Sequence, residues 1–398
     1  MNATILRPLP TCQRATGRNQ IDTIKEEEMA TDLFEPTALN GMSLANRFVR
    51  SATWEGLATA EGFATENLTS LLEDLARGGV GLIITGHAYV SPEGQAGPGQ
   101  LGLCTDGHVP SLKKMVGKVH DAGAKIAVQI SHGGRYALKF PGVVRLGPST
   151  IESRGKIQCR EMTLQDIQRI IGSFAEAARR ARAAGFDALQ LHAAHGYLLS
   201  EFLSPYFNKR TDAYGGPIGN RARLLLDVVD AVQREVGSAF PVLVKLNSQE
   251  FLEGGYSVED MLNVASLLEK AGVDAIEMSG GHHVDGVFGE FFPARKGRAN
   301  GEDVPYYLNE ARLYREKIRV PLLLVGGIRS YEWARRILAE GYADYVSLSR
   351  PLIREPGLVK RWKSGDRARS ACISDNGCFR PALEGKGIMC TVAAQKGK

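Results

Sequence analysis

Several features are missing from this 398-residue sequence. No window approaches the ~18 consecutive apolar residues that a membrane-spanning helix needs. Residues 1–31 lack the apolar centre of a secretory signal. Cysteine is scarce, six residues in all, too few for a disulfide scaffold at this length. Charge of one sign is missing too: 49 Lys+Arg stand against 44 Asp+Glu, a net +5 spread along the chain. There is no basic stripe interleaved with aromatics, which argues against nucleic acid as a partner. No G-x-G-x-x-G follows a strand-like run; Gly78-Gly-Val-Gly81 precedes one instead, which disfavours a dinucleotide-binding open sheet.

The composition is that of a folded protein: 43% hydrophobic and 23% charged residues rule out a disordered or fibrous chain. At ~100–200 residues per domain, the length allows two or three domains, or one α/β barrel with insertions. With no secretory or membrane segment, the cytoplasm is the default location. The first twenty residues carry Arg7, Arg14 and Arg18 and no acid, a faint likeness to a transit peptide. Residues 1–31 read instead as a flexible extension, with Met29 as an alternative start.

Eight short apolar runs then alternate with helix-periodic stretches. They are Arg47–Ala52, Leu82–Thr85, Lys125–Ile130, Ala188–His192, Val242–Leu246, Ala275–Ser279, Leu322–Gly326 and Tyr345–Ser349. Runs this continuous suit parallel strands covered on both faces. Residues 163–185, 219–237 and 257–272 read as capped helices, opening at Thr163 and Ser257 and closing at Gly185 and Gly272. Three strands follow similar turns: Ala184-Gly-Phe-Asp187, Ala271-Gly-Val-Asp274 and Gly341-Tyr-Ala-Asp344. The pattern predicts a single (β/α)8 TIM barrel over 32–365 and a short cysteine-containing tail over 366–398. Asn40-Gly41 predicts a hairpin that closes the barrel's bottom.

Barrel chemistry lies at the C-terminal strand ends. Those ends carry Ser51-Ala52-Thr53-Trp54, Gly86-His87, Gln129, His192 with His195, Lys245, Gly326-Gly327 and Ser349-Arg350. Paired glycines after strand seven and an arginine after strand eight suit a phosphate; plain tight turns would use the same glycines. Lys245 interrupts an apolar strand, so its amine needs an anionic partner or must shed its charge. A Schiff-base lyase or a standing charge against a cofactor would each use it. His192-Ala-Ala-His195-Gly-Tyr197 joins two imidazoles that can grip one oxygen to a phenol that can give a proton. The two imidazoles could also hold a metal, with His282-His283 as the only further candidates for a third ligand.

These residues resemble a known family. His192–Tyr197, Glu201-Phe-Leu-Ser-Pro205, Asn208-Lys-Arg-Thr-Asp212, Tyr214-Gly-Gly216 and Asn220-Arg221 are similar to the signature of the old yellow enzymes, FMN-dependent ene-reductases. Asn46-Arg47, Gln129–Arg135, Val325-Gly-Gly327 and Ser349-Arg350-Pro351 extend the likeness over most of residues 33–360. The resemblance implies FMN at the barrel mouth, with Ser51, Ala52, Thr53 and Gly86 along its ring and Gln129 on the pyrimidine edge. It implies Lys245 beside N1/O2, and Gly326, Gly327, Ser349 and Arg350 around the phosphate. His192 and His195 would polarise an activated alkene, Tyr197 would protonate it, and NADH or NADPH would reduce the flavin.

Two departures qualify the likeness. Trp54 stands where many relatives place Thr or Cys, so the substrate pocket and flavin potential differ. The tail segment Cys372-Ile-Ser-Asp375-Asn-Gly-Cys378, with Cys390, is similar to the four-cysteine cluster segment of the dienoyl-CoA reductase branch, with Asp375 in place of one thiolate. An iron–sulfur cluster, zinc and an empty tail all stay open. Longer relatives continue into further cofactor domains; here electrons are expected from outside, and a homo-oligomer is expected by resemblance. The competing activities are dehydrogenation of an amine or a saturated substrate, and electron transfer without an alkene.

Overall fold

The computed structural model describes residues 32–139, 143–153, 156–282 and 304–396. Residues 1–31 and His283 lie outside the described residues. All eight apolar runs form strands: β1 (Phe48–Arg50), β2 (Leu82–Ile84), β3 (Lys125–Ser131), β4 (Ala188–Ala193), β5 (Val242–Asn247), β6 (Ala275–Ser279), β7 (Leu322–Val325) and β8 (Tyr345–Leu348). They pair in parallel from β4 through β8 to β1, β2 and β3. The sheet closes where Ala188 faces Ala127 and Gln190 faces Gln129. The (β/α)8 barrel is therefore present.

Alternation along these strands divides the interior into two layers. Val49, Leu82, Ala127, Ala188, Leu243, Ala275, Leu323 and Tyr345 form a lower apolar layer. Two residues further along their strands, Gln129, Gln190, Lys245, Glu277 and Ser347 make a buried polar layer. The intervening residues, such as Val128, Leu191, Val244 and Ile276, face the helices. The expected hairpin, Thr37–Leu39 with Met42–Leu44, turns at Asn40 (φ 40°) and Gly41 (φ 77°). It presses Leu39, Met42 and Leu44 into the lower layer.

The outer helices are α1 (Glu66–Arg77), α2 (Val109–Asp121), α3 (Leu164–Ala183), α4 (Arg223–Val236), α5 (Val258–Lys270), α6 (Leu308–Lys317), α7 (Tyr331–Ala339) and α8 (Leu358–Lys363). Thr163 with Asp166 and Ser257 with Asp260 close capping boxes at α3 and α5. The window 219–237 breaks at Ala222, where Arg221 turns inward to Gly216 O at 3.0 Å and Asp260 at 2.8 Å.

The three similar turns share one job. Asp187 accepts from Ile126 N at 2.9 Å, Asp274 from Val242 N at 2.7 Å and Asp344 from Leu322 N at 2.8 Å. Each aspartate before an even strand thus pins the start of the odd strand beside it. After β2, Ala88–Tyr89 pairs with the far end of β3, which carries the chain across the mouth. The tail docks there as well. Ser370 N donates to Arg329 O and Ile388 N to Glu55 O at 2.8 and 2.7 Å, and Cys378, Ala382 and Ile388 pack with Trp54.

Candidate active site

At the C-terminal ends of the strands is a cavity of about 450 Å³. Ser51, Ala52, Thr53, Trp54, Gln129, His192, His195, Tyr197, Lys245, Gly326, Gly327, Ser349 and Arg350 all line it. Gly86 does not. A Cβ at Gly86 would fall 2.1 Å from Glu55 Oε2, and its N–H donates to Glu55 Oε1 at 2.8 Å. That glycine makes room for a buried carboxylate, which Arg50 pairs at 3.0 Å.

The floor is a chain of hydrogen bonds. Gln129 Nε2 donates to Gln190 Oε1 at 2.7 Å, and Gln190 Nε2 donates to Glu277 Oε2 at 2.9 Å. Lys245 Nζ donates to Glu277 Oε2 at 3.1 Å and to Ser51 Oγ at 2.8 Å. Glu277 is the anionic partner that a mid-strand amine demands. Burial raises its carboxyl, yet the Lys245 charge and its hydrogen bonds prevail and hold it below the usual carboxylate range. Glu277 and Gln190 escaped the reading of the sequence, although a polar residue inside an apolar strand is the same signal that marked Lys245.

Gly326 and Gly327 take φ of 111° and 77°. A Cβ on Gly327 would stand 2.7 Å from the Tyr306 ring. Only glycine lets the backbone turn here against that tyrosine. Arg350 is held from two sides: Nη2 reaches Tyr306 Oη at 3.1 Å, and Nη1 reaches Asn376 Oδ1 at 2.7 Å and Ser374 O at 3.2 Å. Thr53 and Ser349 hydroxyls meet at 2.7 Å. Ser347 Oγ is buried in this wall with no hydrogen-bond partner among the described residues.

Opposite lies the ring cluster. His192 and His195 stand edge to face with centroids 5.2 Å apart, and Tyr197 lies 4.7 Å from His192. His195 takes φ 64°, a strained value for a non-glycine residue. It is held by Asn247 Oδ1 on its N–H at 3.3 Å and by Ser279 Oγ at Nε2, 2.8 Å. Burial pushes the Tyr197 phenol up to about 12. His87, next in sequence to Gly86, is 5.0 Å from the Tyr197 ring. Behind this wall, burial pushes Glu201 up to about 8 despite the opposing charge of Arg135. His282, weighed as a metal ligand, stacks on Phe207 at 4.3 Å instead.

In the tail, Cys372, Asp375, Cys378 and Cys390 line one small cavity of about 10 Å³ with Arg350 and Arg354. That is room for about one water. Burial pushes the Cys378 thiol up to about 11, and Arg354 approaches Cys390 Sγ at 3.8 Å. Among the described residues no three His, Cys, Asp or Glu side chains are grouped to hold a metal ion.

A closed parallel barrel whose mouth joins a buried lysine, an arginine–glycine wall and a histidine pair has the architecture of the FMN-dependent barrel oxidoreductases. The model of the NADH:flavin oxidoreductase / NADH oxidase family matches residues 32–368, and the chain belongs to that family. It is 36% identical over 330 residues to an NADPH dehydrogenase of Geobacillus thermodenitrificans, covering 82% of this chain and 92% of that protein. It is 34% identical over 376 residues to an NADH oxidase of Thermoanaerobacter brockii; that match takes in 92% of this chain but only 56% of the longer relative. The chain thus spans about half the length of some curated relatives it matches. A solved old yellow enzyme homologue from Zymomonas mobilis superposes with a TM-score of 0.73 at 28% identity, over 91% of this chain and 98% of the other. The family expected from the sequence is therefore the family found. Among the described residues no helix is long and apolar enough to cross a membrane.

Proposed function

We propose that this chain is an FMN-dependent oxidoreductase that takes electrons from NADH or NADPH and saturates an activated C=C bond, as in an α,β-unsaturated carbonyl compound. One observation carries the reading: the imidazole pair and the phenol share a cavity with Lys245 and with the Gly326–Gly327–Arg350 wall. The residues fit FMN. The wall offers an arginine, backbone that only glycine can form and a buried Ser347 hydroxyl in want of a partner; the floor offers amide and ammonium donors to a heteroaromatic edge.

Bound FMN would supply the two-electron redox chemistry, hydride transfer included. The chain's own residues do the rest. Gln129 and Lys245 hold the polar edge of the ring, and Gly326, Gly327, Ser349 and Arg350 hold the phosphate. His192 and His195 donate to the substrate's carbonyl oxygen, which draws electron density from the β-carbon. Tyr197 gives its proton to the α-carbon. A phenol is protonated at neutral pH even at its ordinary value near 10, and burial only lifts Tyr197 further, so the proton is present to give. Trp54 shapes the substrate side of the cavity. No step is assigned to a tail metal.

The absorption spectrum of the purified protein tests the reading first. Oxidised-flavin bands support it; a colourless protein that rejects added FMN overturns it. Anaerobic reduction by NADPH followed by 2-cyclohexenone comes next. Failure of the alkene to reoxidise the protein would leave only an electron carrier or a dehydrogenase. Tyr197→Phe is expected to slow alkene reduction by about 100-fold or more while flavin reduction stays within about threefold. Equal loss in both half-reactions removes the proton-donor role.

A further inference from the structure

We infer that His87 is a positioning residue for Tyr197: a neutral imidazole that donates its Nε2–H to the phenol oxygen and stabilises the charge left there when the phenol gives up its proton. The inference rests on the role proposed for Tyr197. His87 follows β2 and is buried. Its backbone is fixed by the Ala88–Tyr89 pairing onto Ile130 and Ser131. Nε2 stands 3.4 Å from Tyr197 Oη, a long contact of the kind that tightens when a site fills.

The tautomer follows from a neighbour. Gln100 Oε1 accepts from Ala96 N at 2.7 Å and from Gly97 N at 3.3 Å. Only the oxygen of an amide can do so, so its NH2 is the end that faces His87 Nδ1, at 2.6 Å. An NH2 group cannot accept; Nδ1 therefore presents its lone pair. The Ser131 hydroxyl, 3.3 Å from the same nitrogen, can donate to it too. An imidazolium would set N–H against N–H at that spacing. A neutral ring then carries its one hydrogen on Nε2, the nitrogen facing Tyr197.

Three consequences follow for the phenol. Its oxygen accepts from His87, so its own proton is not spent on that bond. When the proton passes to the substrate carbon, the bond becomes charge-assisted, about twice as strong as a neutral one. His87 keeps its hydrogen throughout, and the phenolate regains a proton from water. Burial makes Tyr197 a weak acid, and a donor fixed on its oxygen opposes that penalty in the charged state alone. His192, His195, Lys245, Arg350, Tyr306 and Tyr307 are the other titratable groups on this cavity.

The test places 3,5-difluorotyrosine at position 197 of the full-length, FMN-loaded protein, which brings the titration into a mild pH range, and follows it by fluorine NMR. Removing the donor in His87→Phe is expected to raise the midpoint by about one pH unit, tenfold in acidity. His87→Gln, whose amide can reach the same oxygen, is expected to return it to within about 0.3 unit of the parent. Equal midpoints in parent and His87→Phe overturn the inference. Should His87→Phe not fold, nitrogen NMR of labelled histidine in the parent decides, with the His87 signal identified by its loss in His87→Gln. A protonated Nε2 beside a bare Nδ1 at pH 7 supports the pairing, and the opposite tautomer or an imidazolium overturns it. Full alkene reduction by Tyr197→Phe would remove the proposed role of Tyr197 yet leave the hydrogen bond and its midpoint shift in place, so the two failures are told apart.

Discussion

Lys245 and Glu277 are each nearly or fully buried, and each is tolerable there only because of the other. An isolated ion at that depth would cost several kcal/mol (roughly) or lose its charge, so the two residues specify one another across adjacent strands. Glu201 lacks so good a partner. Arg135 Nε lies 3.4 Å away, and burial prevails, lifting the carboxyl from 4.5 to about 8. A carboxyl raised on folding favours the native state while protonated. Its contribution is complete below about 4.5 and is lost as pH rises through about 8. Thermal unfolding followed from pH 5 to pH 8 is therefore expected to show the parent losing more stability than Glu201→Gln. Parallel curves would contradict this account of Glu201.

Elements are held at their ends. The aspartates at 187, 274 and 344 tie neighbouring strand starts together across the barrel floor, and Asp344 also pairs Arg315 Nη1 at 2.8 Å. Asp344→Ala leaves Leu322 N in want of an acceptor, a loss of about 1–3 kcal/mol. A melting temperature several degrees lower, with the cavity residues unaffected, is the expected result, read by calorimetry. An unchanged melting temperature would mean that the turn repeats for some other reason. At this scale the sequence was highly legible. The eight apolar runs became the eight strands, and Thr163 and Ser257 marked helix starts, because period and capping are local properties. The break at Ala222 was not legible, since it depends on Arg221 reaching Asp260 39 residues away.

Taken as a whole, the molecule uses its tail to finish the mouth. Asn376 and Ser374 grip Arg350, and Cys378 and Ile388 support Trp54. On the proposed reading, Asn376→Ala loosens the phosphate-holding arginine. A rise of about tenfold in the FMN dissociation constant is expected, the equivalent of ~1.4 kcal/mol, measured by flavin fluorescence on apoprotein. Unchanged affinity would detach the tail from cofactor binding. The sequence by itself determined the barrel, the strand-end residues and the family, since alternation and short motifs are written in consecutive residues. Only the tertiary structure decided that Glu277 meets Lys245, that Gly86 faces Glu55 and not the cavity, and that the tail cysteines enclose room for about one water. It alone brought Gln100 and His87 up to Tyr197. The contacts to Glu277, Glu55, Gln100 and His87 join residues 13 to 110 positions apart in the chain, separations that no local period or short motif encodes and that only the packed fold closes.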